Sequence, residues 1–288
     1  MPAPGFPPAV VVVPAEFLSP PPPQPAATRT RTARSASSAS DLFIPYLSAK
    51  VSDYGAKTLS ESNTGHPTPA HVTLAVVFQV RAAALHVLLW QRAQAPFKGA
   101  WSLPGGYLER GDTLERSIRK HLAQKVDVRE LAHLEQLETL SDPKRFAPEW
   151  QLATAYLGLV PTDLDPVGPE DTRWHPVDSL PRLSFDHGSI VLTGRERLRA
   201  KLSYTNLGFA LAPMEFTISE LRDLYAAALG HDVSPTNLQR VLLRRDVLVP
   251  TGQRRASGPT GGRPGSLFRF RSRQLEITDQ FAVLRPPA

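Results

Sequence analysis

The feature that most constrains the fold is the segment 105–128, with the sequence GGYLERGDTLERSIRKHLAQKVDV. Two adjacent glycines open it, and an apolar residue then recurs at every fourth position, at Leu114, Ile118 and Leu122. That spacing places the three side chains on one face of a helix. The segment therefore predicts a glycine turn and a loop, followed by a helix over 113–126 with one buried face.

The same segment resembles the Nudix box, G-x5-E-x7-R-E-U-x-E-E-x-G-U with U apolar, but all four glutamate positions are changed. Laid on the chain from Gly106, the pattern keeps its apolar positions at Leu122 and Val128. The other positions fall on Asp112 for the first acid, Lys120 and His121 for R-E, Gln124 and Lys125 for E-E, and Asp127 for the late glycine. Nudix hydrolases need the helical carboxylates because Mg²⁺ takes oxygen ligands and neutralises the breaking diphosphate. Lys125 places a cation where a metal ligand is expected, which predicts a Nudix fold that binds and does not cut.

Composition narrows the function classes. The 288 residues are enough for two domains. The sequence has no Cys, which excludes disulfides, thiolate metal sites and cysteine catalysis. A net charge of +6 and a pI of about 9.8 favour an anionic partner, either nucleic acid or a membrane surface. Because no apolar run approaches the ~20 residues of a membrane span, we expect a cytoplasmic protein with no membrane partner.

The first half of the chain predicts a tail followed by strands. Residues 1–40 are rich in Pro, Ala, Ser and Thr, which is typical of a disordered tail, with a basic arm touching DNA phosphates as the alternative. Residues 41–66 are interpreted as a linker or a partly packed extension. Runs of Val, Leu and aromatic residues predict strands at 72–80, 85–90 and 152–160, and a strongly charged helix at 187–202 links the two halves.

The second half predicts a winged helix-turn-helix. Thr217 and Glu220 have capping-box spacing at the start of a helix that Gly230 ends. Ser234 and Pro235 fit the N-cap and first position of the next helix. Two short strands follow at 248–249 and 267–270, with a basic loop, 251–265, between them. Helix, turn, helix and hairpin are the layout of a winged helix-turn-helix.

Charge makes DNA the favoured partner of this half. From Ser234 to Arg273 the sequence holds nine Arg and one acid, Asp246, which gives a net charge of +8. Arg, Asn and Gln make paired hydrogen bonds with base edges, and the second helix of such a module lies in the major groove. Wing arginines suit phosphates or the minor groove. The predicted contacts to double-stranded DNA are Thr236, Asn237, Gln239, Arg240 and Arg244 on the helix, and Arg254, Arg255 and Arg263 in the wing.

Together these features resemble the Nudix-related transcriptional regulators of the NrtR type, over about residues 66–271. The most specific stretches are PFKGAWSLPGG at 96–106, FDH at 185–187, KLSYT at 201–205 and PTGQRR at 250–255. The resemblance implies a homodimeric repressor that binds operator DNA at genes of NAD biosynthesis or salvage. It also implies a Nudix-like domain that senses ADP-ribose or a related NAD metabolite, requires no cofactor and has little or no hydrolase activity.

An effector would dock on Arg92, Phe97 and Trp101, whose guanidinium and aromatic faces suit phosphate and adenine. Ordinary core packing of Phe97 and Trp101, and a surface position for Arg92, are the alternatives.

Two other function classes remain open. The first is a Nudix hydrolase acting on ADP-ribose with carboxylates outside the usual box, drawn from Glu109, Asp112, Glu115, Glu138 and Glu149. The second is an interaction module whose wing binds an acidic protein. We expect no metal site and no catalytic residue, because the box lacks the metal-binding glutamates. His121, His133, His175 and His187 lack ligand spacing and are interpreted as structural or surface residues. The tight group of Ser184, Asp186 and His187 is not a triad, since triads assemble in space.

The predicted fold class is therefore α+β, a Nudix-like α/β/α sandwich with a mixed sheet, followed by a winged helix-turn-helix domain. The expected boundaries are 1–40 for the tail, 41–66 for the extension, 67–186 for the Nudix-like domain, 187–213 for the connector helix, 214–276 for the DNA-binding domain and 277–288 for the C-terminal tail.

Overall fold

Two β-sheets and four α-helices form the part of the protein that the computed structural model describes, residues 69–146, 150–255 and 265–279. The predicted tail and extension at 1–66, Glu149 and Arg263 lie outside the described residues. In the described ranges no helix combines the length and apolarity needed to cross a bilayer.

The first sheet is mixed, as predicted. Its strands run in the order β3-β2-β1-β6-β5, with β4 paired to β1 and β7 paired to β2. The β1–β6 pair is parallel, and the other pairs are antiparallel. The strands are β1 (Ala70–Arg81), β2 (Ala84–Gln91), β3 (Trp101–Ser102), β4 (Gly105–Tyr107), β5 (His133–Leu140), β6 (Gln151–Leu159) and β7 (Thr172–Pro176).

Strand β1 is the centre of a three-layer sandwich. Its side chains alternate between two hydrophobic clusters, with Val76 and Phe78 in one and Ala75 and Val77 in the other. Successive residues of a strand point to opposite faces, so each face needs a cover. Helix α1 (Leu114–Lys125) covers one face with its apolar stripe, and α2 (His187–Tyr204) covers the other. The predicted sandwich is confirmed.

Helix α1 begins and ends within one residue of the prediction. Thr113 is the N-cap, and its hydroxyl accepts a hydrogen bond from the Arg116 N–H at 3.2 Å. Ile118 and Leu122 are fully buried. Burying a side chain of that size contributes about 1.5–3 kcal/mol, so the stripe is what fixes the helix on the sheet.

The second sheet and two helices form the winged helix-turn-helix. Helix α3 (Ile218–Leu229) begins at the predicted capping box and ends at Gly230, whose φ is 77°. Helix α4 (Pro235–Arg244) follows, and the strands β8 (Phe216–Thr217), β9 (Leu248–Arg255) and β10 (Gly265–Phe270) form the order β8-β10-β9. One hydrophobic cluster contains residues of both the first sheet and this module, so the two halves share a core.

The predicted loop 251–265 is wrong at its N-terminal end. Strand β9 continues to Arg255, where Arg254 pairs with Ser266 and Arg255 pairs with Gly265. The side chains from Gly252 to Arg255 are exposed, so this part of the strand has no apolar alternation to reveal it. Strands β3, β4, β5 and β7 were also not predicted from the sequence. They are short or partly polar, and pairing with neighbouring strands holds them in place.

Candidate functional site

Helix α4 presents a polar face that is available to a partner. Its N-terminus is fixed by the Ser234 hydroxyl, which accepts from the Asn237 N–H at 3.4 Å, and by Pro235 in the first turn. One face is buried against the core through Leu238, Val241 and Leu242. The other face carries the five predicted DNA contacts; Thr236, Asn237, Arg240 and Arg244 are exposed, and Gln239 is partly buried.

Two of these side chains are already paired. The Arg240 Nη2 donates to Asn237 Oδ1 at 2.7 Å, which holds both groups on the first turns of α4. Both residue types make two-point hydrogen bonds with base edges. The exposed Leu243 adds one apolar side chain to the same surface.

One wing arginine, Arg255, lies beside the start of α3. Arg254 is exposed on β9. The neighbouring Arg255 makes an ion pair with Glu220 and donates to the Glu215 carbonyl at 3.3 Å. Glu220 also accepts from the Thr217 N–H in the capping box, so one carboxylate serves both the helix end and the wing.

A second candidate site forms where the loop after β2 meets the segment before α2. The Arg92 guanidinium lies 4.9 Å from the centroid of the Phe185 ring, and the Phe97 ring lies 5.0 Å from the same ring, edge to face. Arg92 Nε also donates to the Pro96 carbonyl at 2.9 Å, and Phe97 remains 51% exposed. We call Arg92, Phe97 and Phe185 the aromatic cradle.

The structure joins only two of the three predicted effector contacts in this cradle. The Trp101 ring is partly buried against the core and lies 4.4 Å from the His175 ring. Phe185 was not among the predicted contacts, although it lies in the FDH stretch at 185–187. Its backbone has a φ of 54°, a conformation that only tertiary structure reveals.

The residues next to Phe185 lock the cradle in place. Asp186 accepts from Arg145 in a two-point ion pair at 2.5 and 2.7 Å. The buried His187 ring accepts at Nδ1 from the Leu103 N–H at 3.0 Å. Burial lowers the pKa of His187 to about 4, so the ring is neutral at physiological pH. Ser184 bonds to Ser102, so these residues hold a loop and do not form a triad.

The face of α1 that carries acids in a Nudix box holds hydrogen-bond donors instead. Lys125 Nζ donates to the Gly105 carbonyl at 2.5 Å and lies 4.6 Å from the centroid of Trp90. One turn earlier, His121 Nε2 donates to the Tyr107 carbonyl at 3.0 Å. Gly106 has to lack a side chain here, because a Cβ would collide with the His121 ring.

The residues on this face do not fit the Mg²⁺ ion that a Nudix fold implies. Mg²⁺ takes oxygen ligands in an octahedron, whereas both positions donate hydrogen bonds to the oxygens nearby. The nearby acids have cationic partners: Glu109 pairs with Lys120, Asp112 with Arg116 and Glu115 with Arg119. Across 69–146, 150–255 and 265–279, no three His, Asp or Glu residues are grouped so that they could hold a metal.

Helix α2 connects the cradle to the winged module by polar contacts. In its C-terminal half, Lys201 makes an ion pair with Glu135 on the first sheet. In the same half, Arg199 Nε donates to the Ala228 carbonyl of α3 at 3.4 Å. At its end, the Ser203 carbonyl accepts from Arg245, the residue that caps α4, at 3.0 Å.

Comparison with known proteins agrees with this architecture. The family model of the NrtR DNA-binding winged helix domain matches residues 208–270, and that of the NUDIX domain matches residues 69–193. The ADPR responsive transcriptional repressor NtrR of Acinetobacter baylyi is 29% identical over 212 residues, which cover 71% of this chain and 83% of the repressor. A MutT/nudix family protein from Enterococcus faecalis shows the same fold. It is 20% identical, with a TM-score of 0.56, and the match covers 79% of this chain and 94% of that protein.

The solved structure of Shewanella oneidensis NrtR in complex with a 27mer DNA is also similar. It is 31% identical, with a TM-score of 0.64, and the match covers 74% of this chain and 97% of that one. Both modules and their order are thus shared with a DNA-bound regulator along nearly its whole length. The protein belongs to the NrtR family of Nudix-related transcriptional regulators.

Proposed function

We propose that this protein is a transcriptional repressor that holds operator DNA with α4 and the wing, at genes of NAD biosynthesis or salvage. The observation that carries the proposal is the exposed face of α4, on which Arg240 and Asn237 are already joined at 2.7 Å. Support comes from Shewanella oneidensis NrtR, which was solved with a 27mer DNA. Thr236, Gln239 and Arg244 extend this surface, and Arg254, Arg255 and Arg263 would contact phosphates or the minor groove.

The test is equilibrium binding of the full chain to DNA from upstream of its own gene and of NAD-synthesis genes, against scrambled DNA at physiological salt. We expect a preference of about 10³-fold or more for the upstream DNA. Arg240→Ala weakens that binding by ~10-fold or more, since a two-point base contact is worth about 1–3 kcal/mol. Arg129→Ala, which removes an exposed Arg from the other module, is the matched control. Equal, steeply salt-dependent binding to both DNAs would refute the repressor and favour the alternative of a module that binds an acidic protein.

We further propose that the aromatic cradle binds ADP-ribose or a related NAD metabolite as effector. The Acinetobacter baylyi relative is named as responsive to ADPR. A guanidinium and two exposed or partly exposed rings offer the chemistry that a diphosphate and an adenine need. The effector can control DNA binding only if it binds the DNA-competent and the incompetent conformations with different affinity. The contacts of α2 with both modules support α2 as the route that carries this signal.

The protein acts without catalysis and requires no cofactor in this proposal. The hydrolase alternative needs several carboxylates around a metal, and the acids at 109, 112 and 115 are each held by a cation of their own. Incubation with ADP-ribose and Mg²⁺ or Mn²⁺ should therefore release no AMP. Release of AMP would support the hydrolase alternative.

We also propose a cytoplasmic homodimer, because two-fold operators suit two copies of α4. Light scattering of the purified full chain gives the mass of the species, and a monomer at the concentrations that bind DNA would refute the dimer.

A further inference from the structure

The corner between β4 and α1 holds Lys125 in one fixed position. Its ammonium donates to the Gly105 carbonyl at 2.5 Å and lies over the face of Trp90, 4.6 Å from the ring centroid. An ammonium has three N–H donors, so after one is used on Gly105 two remain. Lys125 is thus anchored by one hydrogen bond and by its contact with the Trp90 ring, and it keeps two donors for an anion.

A second cation lies close to Lys125. Arg92 follows Trp90 by two residues and continues the pairing of β2 with β3, because its N–H donates to the Ala100 carbonyl at 3.0 Å. Residues two apart on an extended strand point to the same face, so Arg92 leaves the strand on the side of the ring that Lys125 covers. Burial and, second, the positive charge of Arg92 lower the pKa of Lys125. The hydrogen bonds that both cations make within the described ranges go to the Pro96 and Gly105 carbonyls, with no carboxylate among their acceptors. Each cation also lies over an aromatic ring, Lys125 over Trp90 and Arg92 over Phe185. Two partly buried like charges whose acceptors are carbonyl oxygens and ring faces repel each other, and a bound anion relieves that repulsion.

We infer that Lys125 and Arg92 form a diphosphate-binding site that works without a divalent cation and takes the place of the metal cluster that a Nudix fold implies. The inference rests on the proposed function, since it names how the effector is held. In a hydrolase the metal neutralises the diphosphate, whereas here the ammonium and the guanidinium neutralise it directly. The Phe185 ring, which Arg92 covers, and the Phe97 ring, which packs edge to face on Phe185, are then placed for the rest of the nucleotide.

Isothermal titration calorimetry of the full chain with ADP-ribose, once with Mg²⁺ and once with EDTA, tests the site. We expect the two dissociation constants to agree within about two-fold. Lys125→Gln removes the charge but keeps an N–H donor, and it should weaken binding in EDTA by ~10-fold or more, because a charge-assisted bond is lost. Arg92→Gln removes the other cation and should also weaken binding in EDTA. The test therefore remains decisive even if one of the two variants folds poorly.

Arg119→Gln is the matched control, because it removes one charge from the exposed side of the same helix, where Arg119 pairs with Glu115. Its affinity for ADP-ribose should stay within about two-fold, and the melting temperature reports folding of each variant. Binding that needs Mg²⁺, or binding in EDTA that neither Lys125→Gln nor Arg92→Gln weakens, overturns the inference and leaves the effector proposal intact. No binding under either condition overturns both, while the DNA experiment still decides the repressor.

Discussion

At the scale of single residues, the buried His187 ties the stability of the cradle to pH. Its folded pKa of about 4 lies below the ordinary value of 6.5, because burial disfavours the charged ring. Between those two values the unfolded chain binds more protons than the folded one. Stability therefore rises with pH across this window, is fully present above 6.5 and is lost as the pH falls towards 4.

We expect this single group to remove up to about 3 kcal/mol of unfolding free energy between pH 7 and pH 4. His187→Gln keeps an acceptor for the Leu103 N–H and removes the titration, so the variant should lose less stability over the same range. Urea denaturation of both proteins at pH 7 and pH 4.5 gives the comparison, and other titrating groups cancel in the difference. Equal pH dependence of the two proteins would show that the ring is not held neutral by the fold.

At the scale of elements, Glu220 joins the start of α3 to the wing. Its carboxylate accepts from the Thr217 N–H and makes the ion pair with Arg255. Glu220→Gln preserves an acceptor for the capping box but releases the wing arginine for phosphate. We expect unchanged stability and tighter DNA binding, by a few-fold, because one more cation is available and one anion is gone.

The control for that prediction is Asp223→Asn, which removes one negative charge from the same helix at a site that pairs with Arg222 and not with the wing. It should change DNA affinity less than Glu220→Gln does. Thr217→Ala, by contrast, removes the other half of the box and should cost about 1 kcal/mol of stability. Equal gains from the two acid-to-amide changes would mean that the charge alone matters and that the contact with Arg255 does not.

Elements with their own local signals were the ones predictable from the sequence. Helices α1, α3 and α4 combine an apolar stripe with a capping residue. The structure places both ends of α1 and α3, and the start of α4, close to the predicted positions. The polar strand β5 and the exposed end of β9 depend on pairing with distant residues, which leaves no local pattern. Arg92 and Phe97 were selected by residue type, whereas Phe185 enters the cradle through a backbone conformation that local sequence does not reveal.

At the scale of the whole molecule, α2 touches both modules by polar contacts, and α3 also packs on β1 and β2 of the first sheet. It begins directly after the cradle residue Phe185, and its Arg199 contacts the Ala228 carbonyl near the C-terminus of α3, 3.4 Å away. Cations are favoured there, because the last carbonyls of a helix carry partial negative charge. A shift of α2 caused by the effector would reach α3 through this contact, and α4 through the bond from Arg245 to the Ser203 carbonyl.

Arg199→Ala should therefore uncouple the two sites while leaving each of them working. We expect the affinity for DNA without effector, and for ADP-ribose without DNA, to stay within about two-fold of the original, while the ratio of DNA dissociation constants with and without ADP-ribose falls towards one. Arg195→Ala is the matched control, since Arg195 lies one turn earlier on α2 and bonds to Asp178 and Glu196. An unchanged ratio would place the coupling elsewhere, and loss of DNA binding itself would show that Arg199 holds the winged module in position and does not transmit a signal.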